Sequence, residues 1–205
     1  DERLEACAAV SKLCPLAPEA SKLVFQIADA EYNTRGGCQR AAELLATVHP
    51  ACVAAGGDAT RRWLSGFEEA LDAGGVDSGF VADVCEVLAS LPPEFTVDAV
   101  QCERLSDALL RAAGSLQDLP LRRAARLVGL VHDALERLGH GADAGLLRGP
   151  LDSLQAVADW SLLSESVQYD VAETLAARPV VWTAFAAGAA EPSAIMRDVA
   201  AFTNV

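Results

Sequence analysis

The chain has 205 residues, enough to bury one substantial hydrophobic core without help from metals or disulfides. Its formal net charge of −13, with only 16 Lys and Arg, repels nucleic-acid backbones and anionic membranes, and its longest apolar runs fall short of the ~20 residues a spanning helix needs. Hydrophobic residues make up 52% and aromatic ones only 5%, so the core must be assembled from Ala, Leu and Val, which favours closely packed helices over strands.

Pro and Gly punctuate the chain into short helices. The first covers residues 2–14 and stops at Pro15; the second starts at Pro18, a favourable first-turn position, and runs to Tyr32. Gly36 and Gly37 separate it from a third over residues 38–48. After Gly56 and Gly57, Asp58 is expected to cap a helix whose Trp63, Leu64, Phe67 and Leu71 share one face, and Gly74 with Gly75 ends it. Ser78 is the expected cap of the next segment, where Phe80, Val81, Val84, Val87, Leu88 and Leu91 form a stripe before Pro92 and Pro93. Thr96 then caps a helix through Leu105, Leu109 and Ala112.

The clearest periodicity follows: Leu121, Ala124, Ala125, Val128, Val131, Leu135 and Leu138 recur at helical spacing, opened by Asp118 and Pro120 and closed by Gly139. Beyond Gly149 and Pro150 come a helix with Leu151, Leu154 and Val157 and another, capped by Ser164, with Val167, Val171 and Leu175, closed by Pro179. Residues 180–185 have the β-branched and aromatic composition of a short strand, but their helical company argues for a buried helix. A last helix is expected from Pro192. Together these elements predict an all-α protein: a multi-helix bundle or short α-solenoid-like stack of about ten to thirteen short antiparallel helices. We expect one domain over residues 1–205, with sub-layers at 1–92, which holds most of the cysteines, and 96–205. No fixed-period sequence repeat is visible.

The six cysteines, Cys7, Cys14, Cys38, Cys52, Cys85 and Cys102, lie in the first half of the chain. An even number so confined points to as many as three disulfides and, with them, to an extracellular or lumenal setting over a cytoplasmic one. The competing reading, Cys as a small buried hydrophobe, fits Cys7 in line with Leu4 and Cys14, and Cys102 in line with Leu105 and Leu109. There is no C-x-x-C, and the Cys7 to Cys14 spacing is not that of a metal-ligand hook. The chain opens at Asp1 without a signal peptide, as expected of a processed chain or a segment of a longer one.

No motif carries catalysis. His49, His132 and His140 have no partner at metal-ligand spacing and fit a helix end, a partly exposed helix position and a loop. The run Gly75-Val76-Asp77-Ser78-Gly79 misses the nucleophile elbow by one position, and Gly139-His140-Gly141 with Gly145 has neither the spacing nor the preceding strand of a dinucleotide fingerprint. Arg122, Arg123 and Arg126 interleave with an apolar face, while Glu68 with Glu69, and Asp29 with Glu31, fit solvated faces. No catalytic, cofactor-binding or metal-binding residue is therefore assigned.

Trp63, on a clean apolar stripe, belongs to the core, whereas Trp160 and Trp182 are candidate partner-binding residues, since Trp is enriched at interface hot spots. The expected function is a non-enzymatic helical protein–protein interaction module, free-standing or cut from a larger protein, with another protein as partner. The alternative is an exported or lumenal disulfide-stapled helical domain that binds an apolar small ligand. Neither reading calls for a cofactor, a nucleic acid or a transmembrane segment.

Overall fold

The computed structural model describes residues 2–11, 18–33, 37–47, 57–91, 95–140, 147–188 and 191–203, and the regular structure in them is entirely helical. The described residues hold eleven α-helices in chain order: α1 (Glu2–Ser11), α2 (Pro18–Tyr32), α3 (Gly37–Thr47), α4 (Asp58–Ala73), α5 (Ser78–Ser90), α6 (Ala99–Ser115), α7 (Leu121–Arg137), α8 (Pro150–Gln155), α9 (Glu165–Ala176), α10 (Pro179–Gly188) and α11 (Ala194–Thr203). A 3-10 turn, Trp160–Leu162, stands between α8 and α9. Residues 180–185 lie inside α10, so the helical reading of that apolar run holds.

The last helix starts at Ala194 and not at Pro192, and at two other starts a neighbouring aspartate displaces the expected hydroxyl residue. Asp77, not Ser78, caps α5 by accepting from the Phe80 amide at 2.8 Å, and Asp98, not Thr96, caps α6 by accepting from the amides of Val100 and Gln101. A carboxylate makes charge-assisted bonds and meets the positive end of the helix dipole, so it outcompetes a hydroxyl close by. At α4 the cap position is Gly57, with φ +50°, and Asp58 is already helical. Ser164 holds the cap position of α9 without a side-chain bond to the helix's backbone amides, its hydroxyl lying 3.4 Å from that of Ser166. Helix α9 ends at Ala176, ahead of Pro179 as expected, and Pro179 also opens α10, the first-turn role that a missing N–H allows. The expected breaks at Pro15, Gly36, Gly56, Pro92 and Pro93 lie outside the described residues.

Alternate helices stack. One layer runs α3, α5, α7, α9, α11, each packed on the next; the other holds α4 against α6 and α8 against α10, with α1 and α2 covering the start at α3. Cross-helix polar pairs show the register. Arg126 bonds Glu86 from 40 residues away, Arg111 bonds Asp72 at 2.6 Å from 39, and Arg178 bonds Asp133 from 45. Along α7 and α9 the partners advance together, Arg122 with Asp170 and Ser166 first, Asp133 with Arg178 later. The stacked neighbours α4 and α6, α5 and α7, and α7 and α9 therefore run parallel, as in stacks built from helical pairs.

A single core threads both layers from Val24 to Met196. Its large members are few: Trp63, Phe67, Trp160 and Phe185 are the bulkiest side chains fully buried, with Ala and Leu filling the rest. The small residues allow backbones to approach. Gly149, at φ +77°, starts α8 so close to the end of α6 that a Cβ there would lie 2.4 Å from the Ala113 carbonyl oxygen. At Gly66 a Cβ would lie 1.9 Å from the Tyr32 hydroxyl, so the glycine makes room for α2 to close over α4.

The expected disulfide framework gives way here. Cys38, Cys85 and Cys102 are free thiols, which excludes three bridges among the six cysteines. Each is accounted for as a small core-side residue: Cys38 Sγ donates to the Gly66 carbonyl at 3.4 Å, Cys102 approaches the Val97 carbonyl at 3.8 Å, and Cys85 is wholly buried. Burial pushes the Cys38 thiol up to about 11, with Glu69 adding to it, and pushes Cys85 higher still. Such thiols are protonated and inert at neutral pH. The Cys7 side chain, Cys14 and Cys52 lie outside the described residues.

Candidate interaction surface

Trp160 is not at the surface. Asp159 caps the 3-10 turn by accepting from the Ser161 amide at 2.9 Å, and the turn swings the indole into the core, where it is 0% exposed and meets Phe185 edge-to-face at 5.5 Å. Its Nε1–H has no hydrogen-bond partner among the described residues. Trp182 lies on the rim of the same aromatic cluster, half-buried, its ring tilted against Phe185 at 5.6 Å. Gln155 ties this end together by donating from Nε2 to the Ala184 carbonyl at 3.0 Å.

Four exposed apolar side chains lie on the C-terminal elements. Leu162, on the 3-10 turn, is 82% exposed, and Phe202, on α11, is 84% exposed. Tyr169 on α9 and Val180 on α10 are about half exposed. The four sit on consecutive elements, α9 packing against both α10 and α11. Helix α10 contains no charged residue, in a chain where 22% of residues are charged. Sequence periodicity missed Leu162 and Phe202 because it scores them like core positions; only the orientation of a short turn and of a terminal helix decides their exposure.

The remaining polar candidates have structural roles. His132 Nδ1 lies 3.3 Å from Asp133 Oδ1, and Asp133 also takes the Arg178 guanidinium. Burial works to raise the Asp133 carboxyl, but the Arg178 bonds and charge, helped by His132, outweigh it and hold the group below the ordinary carboxylate range. Arg122 and Arg126 are engaged by Asp170 and Glu86, and Asp29 accepts from both Arg62 and Trp63. His140 is exposed beyond α7; His49, Gly141 and Gly145 lie outside the described residues. Among the described residues no group of His, Cys, Asp and Glu is arranged to hold a metal ion, and no helix is long and apolar enough to cross a membrane.

Among the described residues Asp83 is the one carboxyl pushed well up, to about 6 from an ordinary 3.8, by burial first and then by Glu43, Glu86 and Asp77, against a smaller pull from Arg126. With a folded value above the unfolded one, the fold is favoured while Asp83 is protonated, and that advantage is lost as pH rises from about 4 through about 6. Asp83→Asn is therefore expected to stabilise the protein at pH 7.5 by about 1 kcal/mol, after allowance for solvent screening of a half-exposed group, and to change little at pH 4. Urea unfolding of both proteins at the two pH values measures it.

Comparison of the chain with family models, with curated proteins and with solved structures finds no match.

Proposed function

We propose that the chain is a non-enzymatic helical protein–protein interaction module, and that another protein docks at the C-terminal end of the stack. The exposure of Leu162 and Phe202, with Tyr169 and Val180 half exposed on the elements between them in the chain, carries this reading. Large apolar side chains left in water are worth roughly 1.5–3 kcal/mol each when a partner covers them, and a few such anchors dominate an interface. Trp182 is the half-exposed aromatic beside them; Trp160 supports that surface from below and does not touch a partner directly.

The test is retention of partners from the native source on the immobilised chain, followed by the same experiment with Leu162→Asp plus Phe202→Asp. We expect the double variant to lose the retained proteins by more than tenfold, while Val100→Asp, at another exposed apolar position, on α6, keeps them. Identical retention by all three chains would remove the reading. All three should unfold at the same temperature, because the substituted positions are in water.

A second reading, a domain that binds an apolar small ligand, has one feature in its favour: a pocket of about 250 Å³ whose walls include Leu91, Phe95, Val97 and Leu138. It is smaller than the roughly 300–1,000 Å³ of most ligand sites. The extracellular or lumenal setting that accompanies this reading drew on a three-disulfide framework, and with Cys38, Cys85 and Cys102 free at most one bridge is left to support it. Release of a small molecule on organic extraction of the purified protein would restore it.

A further inference from the structure

We infer that the exposed sides of α9 and α11 bind a basic amphipathic helix of a partner protein; this rests on the docking reading above and names the chemistry of the partner. On α9, Glu165, Tyr169 and Glu173 stand four residues apart and so line up along one side of the helix, a half-exposed aromatic ring between two exposed carboxylates. On α11, Asp198 and Phe202 repeat the arrangement, an exposed carboxylate one turn before an exposed ring. The two helices pack directly on each other.

The negative charge here is not balanced within the fold. From residue 150 to 205 the sequence has seven acidic residues and two basic ones, and both arginines are committed, Arg178 to Asp133 of α7 and Arg197 to Glu191. Asp170 of α9 is paired with Arg122, while Asp152 and Asp159 accept from the backbone amides of Gly149 and Ser161. That leaves Glu165, Glu173 and Asp198, all exposed, whose side chains have no partner among the described residues. An exposed ring bracketed by such carboxylates selects a partner that is apolar and positive at once. On a docked helix, Lys or Arg one turn to either side of an apolar residue would meet the two glutamates as that residue covers Tyr169. Their aliphatic stems cover apolar surface as well. Exposed ion pairs each add little affinity, so the apolar side chains hold the partner, and the carboxylates choose it by attracting basic helices and repelling acidic ones.

The probes are two labelled synthetic peptides in the same amphipathic helical order, one of Leu and Lys and one of Leu and Glu, with binding to the full chain read by fluorescence anisotropy. We expect the Leu–Lys peptide to bind saturably and the Leu–Glu peptide not to bind. The triple variant Glu165→Gln, Glu173→Gln, Asp198→Asn should weaken the Leu–Lys peptide about tenfold. The control Glu103→Gln, Asp107→Asn, Asp118→Asn removes as many exposed charges from α6 and the turn after it, and should change binding by no more than about twofold. Equal weakening by both triple variants would show that net charge alone draws the peptide. No binding of the Leu–Lys peptide, or equal binding of the Leu–Glu one, would show that charge does not choose the partner. Each of these results overturns the inference. The docking reading is judged apart from them, by the proteins that Leu162→Asp plus Phe202→Asp fails to retain. Gln and Asn replace exposed carboxylates of the same shape, so the variants should keep the parent's thermal transition, which is checked alongside.

Discussion

Trp160→Ala is expected to lower the unfolding free energy by about 3–5 kcal/mol, the range for emptying a large aromatic site in a core that collapses only partly. The side chain is fully buried and supports Phe185, on which Trp182 in turn rests, so the damage spreads along the aromatic cluster at the end of the stack. Trp160→Phe separates packing from polarity. It leaves a smaller void and also removes an indole N–H that is buried without an acceptor among the described residues, a group that costs about 1–3 kcal/mol where it stands. The two changes oppose each other, and the Phe variant should unfold within about 1 kcal/mol of the parent. Equilibrium urea unfolding of both variants is the measurement. A Phe variant as weak as the Ala variant would mean that the indole N–H contributes a bond the fold depends on.

Much of the architecture was legible in the residues, and the gaps have physical causes. The stripe from Leu121 to Leu138 and the stops at Gly74, Gly75 and Gly139 sit where expected, because helical spacing and positive φ are local properties. The layer order was not legible. Sequence shows no repeat, yet Glu86 with Arg126, Asp72 with Arg111 and Asp133 with Arg178 recur at separations of 40, 39 and 45 residues, about the length of one helical pair. Trp160 was misjudged for the opposite reason: a three-residue turn after Asp159 decides which way the indole faces, and no period extends over three residues. The cysteines misled because number and confinement describe a bridge and a buried thiol equally well. Distance separates the two, and sequence carries none.

The ion pair between α7 and α9 is the second place where one substitution has a large effect, and it reverses the sign of another. Arg178 Nε donates to Asp133 Oδ1 at 2.7 Å, its Nη2 donates to the other carboxylate oxygen, and its Nη1 reaches the Thr174 carbonyl at 3.2 Å. Arg178→Ala leaves Asp133 half-buried without this partner and should cost about 2 kcal/mol, less than a fully buried pair would. Since Asp133 is held below its ordinary value, the stability from this pair is present above about pH 4 and is lost as pH falls through the lowered value. The Ala variant should therefore lose stability less steeply in acid than the parent.

The guanidinium passes directly over Gly129, where an added Cβ would lie 2.9 Å from Nη1 and 3.0 Å from Cζ. Three hydrogen bonds prevent the group from withdrawing, so Gly129→Ala must break or bend them. Its gain of about 1 kcal/mol in helix propensity is then outweighed, and the variant should be about 1 kcal/mol less stable than the parent. In the Arg178→Ala background the obstruction is gone, and the same Gly129→Ala change should stabilise by about 1 kcal/mol. A double-mutant cycle by urea unfolding reads that reversal as a coupling of about 2 kcal/mol. Equal effects of Gly129→Ala in both backgrounds would show that the guanidinium does not hold α9 against α7 in this way.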